Sequence, residues 1–487
     1  MSPVVPNVYD SRRAGMPQVS FDFTPDVNFV VGKSTRGPID EVFVGSPDSI
    51  YRTFGEGDLP AYVQRANLNG ASKFKVVRVL GANPVKATKA FLATDTTVGS
   101  LTAKDYGAYG NDITIKWVEN VTDERTLYVR YKGKQIAIVS DMTDGTSIVA
   151  KIADHPVLQN WLVYTKTTND LPDESADWVA LASGSDGSSI TNSDVVGEYD
   201  STTGARTGLQ LAVITDGWSN LGVATLEGDS TVNAGMITVC SQRGYGKAIL
   251  THDSSLTDAQ IKSAADAIDA PGGCASFWAG WYQSYTQTTG TYVSPTAAIM
   301  GILCRVEVFE SPSNQVILDA LAVKRKYDDL QIEDLLLHKV NVVTYDIYSP
   351  TSAGIRTFHS LNASTDANID EIQVKGTYDK LNNDIRRSIR FAISKPNTSI
   401  LRGMVQNAAD LVRTNAMKYK SVYADSMVEN MWVKCDDTNN TEEDIKSKRI
   451  ILDWAFQPIG AAHFVYNRSA VTSDGIETKQ VLEDVIN

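Results

Sequence analysis

Cysteine and histidine are both scarce in this chain. Its 487 residues include four cysteines, Cys240, Cys274, Cys304 and Cys435, and no two stand at a metal-ligand spacing. They read as reduced thiols. The five histidines (His155, His252, His338, His359 and His463) show no HxH or HxxxH spacing, so no metal centre is expected. Long apolar runs are missing too: none approaches the roughly 20 residues that span a bilayer. The opening Met-Ser-Pro-Val-Val-Pro-Asn lacks the charged start and apolar centre of a secretory signal, so synthesis and function in a cytosol are expected. Net positive charge is absent as well. A formal charge of −13 argues against duplex DNA as a main partner.

Signatures of catalysis are incomplete. Gly244-Tyr245-Gly246-Lys247 faintly resembles a phosphate-cradling loop, but the upstream glycine is missing and Ala248 stands where Ser or Thr is needed. It reads as a turn beside a strand. His252-Asp253 has no nucleophile in a recognisable elbow, and Asp253 also suits the start of the next helix. Cys274, beside Gly272-Gly273, has no histidine placed near it by sequence. Residues 184–187 lack the alternating acids of a calcium loop. A non-enzyme without catalytic, cofactor-binding or metal-ligating residues is expected.

The chain is too long for one core, and about two to four domains are expected. The fold class expected is multidomain α/β and α+β. Residues 1–20, with Pro3, Pro6 and Pro17, bury too little to fold alone and read as an extended arm. Residues 21–92 together with 211–360 read as a split α/β domain. Its expected strands are Phe29–Val31, Phe74–Leu80, Met236–Cys240, Ala248–Thr251, Phe277–Tyr282 and Val340–Tyr345. Its expected helices are Leu59–Asn69, Asp258–Ile268 and one from Thr296. Residues 93–210 are richer in Thr, Ser, Asp and Gly and read as a β-rich, outward insertion. It contains a strand at Ile113–Val118 and a hairpin across Lys132-Gly133-Lys134. Leu181–Ser189 reads as a flexible hinge.

Residues 361–470 form the last expected domain. Ser399 can cap a helix with apolar positions Leu401, Met404, Val405, Ala408, Leu411, Val412 and Tyr419. The opposite face carries Arg402, Gln406, Arg413 and Lys420. Ile450, Leu452, Trp454 and Phe456 alternate on a strand, and Phe464 and Tyr466 continue on a second. Residues 471–487 read as another arm. Between Lys380 and Lys420 nine basic residues stand against Asp384 and Asp410 alone. On an acidic protein this suggests a seat for something anionic. Only Phe391 and Tyr419 supply aromatic rings there, so an acidic protein fits better than nucleic acid.

Several ordered segments carry a family resemblance. They are Ala66–Ala71 leading into Phe74–Val79, Ala108-Tyr109-Gly110-Asn111-Asp112-Ile113, Leu181–Gly187, and Ser294–Gly301 with Glu310-Ser311-Pro312. Leu381–Arg387 and Val433–Asn440 followed by Gln457-Pro458 complete the set. In that order they resemble the contractile-tail sheath proteins of myophages and related injection systems. Gly460–His463 departs from the family's usual Pro-Ala-Glu type sequence. The resemblance implies a virion subunit, assembled in the bacterial cytoplasm, that forms hexameric rings stacked helically around a tail tube. It implies tube, baseplate and tail terminator proteins as partners, with no direct nucleic-acid or membrane contact. An inner tube-facing C-terminal domain would use Arg386, Arg387, Arg390, Arg402, Arg413 and Lys420. The arms, with Val4, Val5 and Val8 at one end and Ile476, Val481 and Leu482 at the other, would cross to neighbouring copies and complete a shared sheet. Contraction would draw on stored conformational energy and drive the tube through the host envelope for genome delivery. A non-phage injection device is the nearest alternative. A nucleotide-utilising α/β enzyme with a β-rich lid, or a binding module with ordinary disordered ends, is a more distant one.

Overall fold

The computed structural model describes residues 27–121, 123–346 and 354–461. Both arms therefore lie outside the described residues, as do Phe464 and Tyr466.

An eight-stranded sheet forms the centre. Its order is Ile355–Phe358, Val340–Tyr345, Ala275–Ala279, Lys247–Thr251, Asn220–Val223, Val27–Gly32, Lys73–Arg78 and Phe43–Gly45. Only the two outermost strands run antiparallel to their neighbours. The inner strands are apolar on both faces, as parallel strands covered by helices must be. Phe29 and Val31 enter one core and Val30 the other, as Phe277 and Ala279 do against Trp278. Helices Ser230–Arg243, Asp258–Asp266 and Asp329–Leu337 supply the first core. Pro47–Phe54, Asp58–Leu68 and Thr296–Arg305 supply the second. The last two cross closely at Gly301, where a Cβ would stand 2.4 Å from the Ala66 carbonyl oxygen.

Several elements differ from the sequence expectation. Met236–Cys240 lies inside helix Ser230–Arg243, not in a strand. Its β-branched run suggested extension, but Asp229 caps the start and Gly244, at φ 74°, closes the end. Val232, Met236, Val239 and Cys240 then share the buried face. The strand expected at Phe277–Tyr282 stops at Ala279, because Gly280 adopts φ 100°. Tyr282–Ser284 instead pairs with Ala320–Val323.

Residues 88–180 build two further sheets. One has the order Val179–Ala180, Ile113–Val121, Glu124–Tyr131, Lys134–Met142. The other joins Thr88–Ala93, Thr96–Ala103 and Leu162–Lys166. Thr88–Ala93, assigned from sequence to the α/β portion, pairs here with Thr96–Ala103. The hairpin turn Lys132-Gly133 has positive φ at both residues, as its tight two-residue geometry requires. Helix Gly145–Asp154, hidden in a polar stretch, is held by a capping box at Asp144 and Ser147. Trp117, Ile148 and Leu158 share one core with both sheets. Val195, Leu209 and Ala212 pack instead with the central sheet.

Leu181–Ser189 is not a free hinge. Ala182 and Thr88 exchange backbone hydrogen bonds of 3.1 and 2.9 Å, and Val85 and Ser185 exchange bonds of 2.9 and 3.0 Å. Asn111 adds a two-way amide pair with Gly184, 2.8 Å each way. The small polar residues that suggested flexibility allow this close double crossing. Beneath it lies Arg78, fully buried. Its guanidinium donates to the carbonyls of Ser34, Thr35, Gly37 and Tyr106 at 2.8–3.2 Å. One cation thus ties the outer sheets to the end of the central one.

Candidate assembly surface

The C-terminal portion is built from two helices and two strands. Helix Ile372–Ile389 packs on helix Ser399–Lys418, and both cover the sheet of Val428–Lys434 and Asp453–Pro458. Thr398, rather than Ser399, caps the second helix, accepting from Leu401 N–H at 3.2 Å. Leu381, Ile385, Val405, Ala409, Val412 and Met431 lie in the core between them. Tyr378, Trp454 and Phe456 stack in a row across that face, with centroids 5.5 and 6.1 Å apart. The strand begins at Asp453, so Ile450 and Leu452 precede it.

This portion is clasped to the central sheet. Lys375 and Asp379 form a buried ion pair one helical turn apart, and Asp379 accepts from Gly246 N–H at 3.0 Å. Arg386 lies 5.9 Å from the Tyr245 ring. Gly246 and Lys247 therefore serve a junction and a strand start.

The nominated cations do not form one free positive face. Arg402 is 6% exposed and paired with Asp437. It sits on the core side of its helix, contrary to the expected opposite face, because Asp437 and Asn397 converge on its guanidinium. Arg413 pairs with Asp410 at 3.0 Å, and Lys420 with Asp425 at 3.0 Å. Arg386 is half-buried, whereas Arg387 and Arg390 are exposed near the end of the first helix. Val4, Val5, Val8, Ile476, Val481 and Leu482 lie outside the described residues.

Apolar side chains fill part of the surface where charge was expected. Ile400, Met404 and Leu411 are 76%, 51% and 44% exposed along one stripe of the second helix. Met404 and Leu411 were expected in the core. The helix has an apolar arc wider than its single layer of neighbours can cover. Trp432, on the outward face of its strand, is also exposed.

Gln406 has an unexpected role. Its amide donates to the Val433 carbonyl at 3.1 Å and accepts from Cys435 N–H. It thereby occupies the outer edge of strand Val428–Lys434. Asn430 adds a side-chain acceptor for Met431 N–H at 2.9 Å. Since Val433 turns its carbonyl away from the sheet, its opposite neighbour Trp454 turns its own peptide groups to the far edge. Phe456, two residues on, does the same. Among the described residues no hydrogen bond reaches that edge.

The residues considered for chemistry are otherwise engaged. His252 is buried, its Nδ1 lies 2.7 Å from the Asp253 carbonyl, and burial holds its pKa below the ordinary value. Asp253 accepts from Ser255. Burial pushes the Cys274 thiol up to about 11. Among the described residues no cluster of three His, Cys, Asp or Glu side chains could hold a metal, and no helix is long and apolar enough to cross a membrane.

Residues 364–472 match the family model of the phage tail sheath C-terminal domain. Over nearly its whole length the chain also superposes on solved sheaths. The sheath tail protein of Desulfitobacterium hafniense is 16% identical, with TM-score 0.59 over 93% of this chain and 100% of that one. That of Listeria innocua is 15% identical, with TM-score 0.61 over 89% and 95%. This chain has the tail sheath fold. The contracted sheath of an extracellular contractile injection system is similar as well, at 13% identity and TM-score 0.55 over 99% of both chains. No curated protein matches in sequence. The sheath-matched segment 364–472 contains the cationic block, the exposed apolar stripe and the two-stranded sheet.

Proposed function

We propose that the chain is a structural subunit of a contractile phage tail sheath. It polymerises as stacked hexameric rings around a tail tube and contracts, driving the tube through the host envelope for genome delivery. The observation that carries this reading is the isolated two-stranded sheet in the sheath-matched segment, whose Trp454–Phe456 edge receives no strand from the described residues. Two strands alone are marginal in water, and an open edge invites pairing in trans. A strand lent by an adjacent copy completes the sheet and keeps subunits linked while they tilt. The arms 1–20 and 471–487 are the segments we assign to that exchange, with the central α/β portion, the outer insertion and the inner C-terminal portion as the bodies they connect. Arg387 and Arg390, exposed near the end of helix Ile372–Ile389, are our choice for contact with an acidic tube. Baseplate and terminator proteins bound the sleeve at its ends.

Contraction on this reading needs no nucleotide. A difference of a few kcal/mol per subunit between extended and contracted contacts is comparable to a domain's own stability and sums along the sleeve. Negative-stain microscopy of the purified full-length chain tests the proposal: tubular or ring polymers are expected, and a persistent monomer at high concentration would contradict it.

A further inference from the structure

The two edges of the C-terminal sheet are chemically different. At the Val428–Lys434 edge, Gln406 gives its N–H to the carbonyl of Val433 and takes the N–H of Cys435. Those two groups flank Lys434. A residue on a parallel neighbouring strand would bond to the same pair. A single side chain, fixed on helix Ser399–Lys418 and held by a further 3.1 Å bond to Asp410, thus stands in for a strand. At the opposite edge the peptide groups of Trp454 and Phe456 meet nothing comparable among the described residues.

We infer that Gln406 is an edge plug: it closes the Val428–Lys434 side against strand addition, so that a strand lent by a second copy enters only beside Asp453–Pro458. The occupant is the N-terminal segment of that second copy. Its 26 residues before Val27 reach about 85 Å when extended, enough to leave the parent body. Within Val4–Tyr9, Pro6 has no N–H to give, which confines such a segment to an outermost strand bonded on one side only. One closed edge and one open edge direct this segment to the Asp453–Pro458 side. The inference rests on the strand-sharing reading above and adds its direction.

Disulfide mapping tests it. Trp432 and Ala455 face each other across the sheet, both exposed. Cα atoms must lie about 4.4–6.8 Å apart to bridge, so a third strand reaches only the residue on its own side. Full-length chains carrying Val4→Cys, Val5→Cys or Val8→Cys are mixed with chains carrying Ala455→Cys or Trp432→Cys, assembled, oxidised and digested for peptide mapping. Bridges to position 455 and none to 432 are expected, with bridges to 432 appearing when Gln406→Ala is added. Gln406→Glu, which keeps the acceptor for Cys435 N–H and loses the donor to Val433, is the second variant, and circular dichroism checks that both fold. Bridges to 432 with Gln406 intact, or none at 432 in either variant, would overturn the plug while leaving strand lending in place. Well-formed polymers without bridges at either position would overturn the occupant. Failure of the unaltered chain to polymerise would remove the sheath reading itself.

Discussion

Glu227 and Arg65 form an ion pair of 3.5 Å at the end of a central strand, with side chains only 13% and 5% exposed. Ser294 and Thr296 also donate to the Glu227 carboxylate. Burial raises the Glu227 pKa to about 7, outweighing the opposing pull of Arg65. The folded chain therefore holds this proton where the unfolded chain has lost it, so stability falls as pH rises from about 4.5 through 7. The full span corresponds to roughly 3 kcal/mol. Thermal unfolding measured from pH 5 to 8 should show this fall, and Glu227→Gln should flatten it. An unchanged slope in the variant would show that other groups set the pH response.

Arg78 should be irreplaceable by lysine. Its guanidinium satisfies four carbonyls from two segments, and a lysine cannot reach all of them. Arg78→Lys is expected to cost about 2–4 kcal/mol, with Arg78→Met no better, because buried acceptors lose their partner. Limited proteolysis should then cut near residues 82–107 and 181–189 before the central body. Protease resistance equal to that of the unaltered chain would contradict this role.

Charge changes in the inner portion should separate folding from docking. Arg402→Gln removes a buried guanidinium from its pair with Asp437, whose own side chain is exposed, with an expected loss of about 1 kcal/mol in chemical denaturation. Arg387→Glu and Arg390→Glu, at exposed positions, should leave the fold intact by circular dichroism and reduce co-sedimentation with tube. Equal tube binding by that pair would remove them from the tube contact.

The apolar stripe makes a parallel case. Met404→Ser and Leu411→Ser should leave the unfolding midpoint almost unchanged, since both side chains already meet solvent. If the stripe is covered in the assembly, sedimentation velocity should show a higher concentration threshold for polymer formation. A large loss of stability would return these residues to the core.

Much of the fold was legible in the sequence. Phe74–Leu80, Ala248–Thr251 and Val340–Tyr345 were legible as strands, rich in Val, Ile and Leu, of an α/β sheet. Asp258–Ile268 was legible as a helix, although its cap is Thr257 and not Asp253. Met236–Cys240 misled because β-branched residues favour strands locally, while Asp229 and Gly244 decide the element from outside it. Leu181–Ser189 misled because glycine and serine mark either freedom or close packing, and only the partners at Val85, Thr88 and Asn111 distinguish them. The assembly surface was legible only in part. Helical spacing located the apolar arc of residues 401–412 but not how much of it the chain itself covers. The positive block was visible, whereas Asp425 and Asp437, which neutralise part of it, lie outside it. Nothing in the spacing of Gln406 signalled that its amide would meet a strand edge.

Deleting residues 1–20 and imaging the purified protein by negative stain, alongside circular dichroism and the full-length chain, tests strand sharing most directly. A folded monomer with an unchanged far-UV spectrum and no polymers is expected. Sleeves of normal length and diameter from the shortened chain would contradict it.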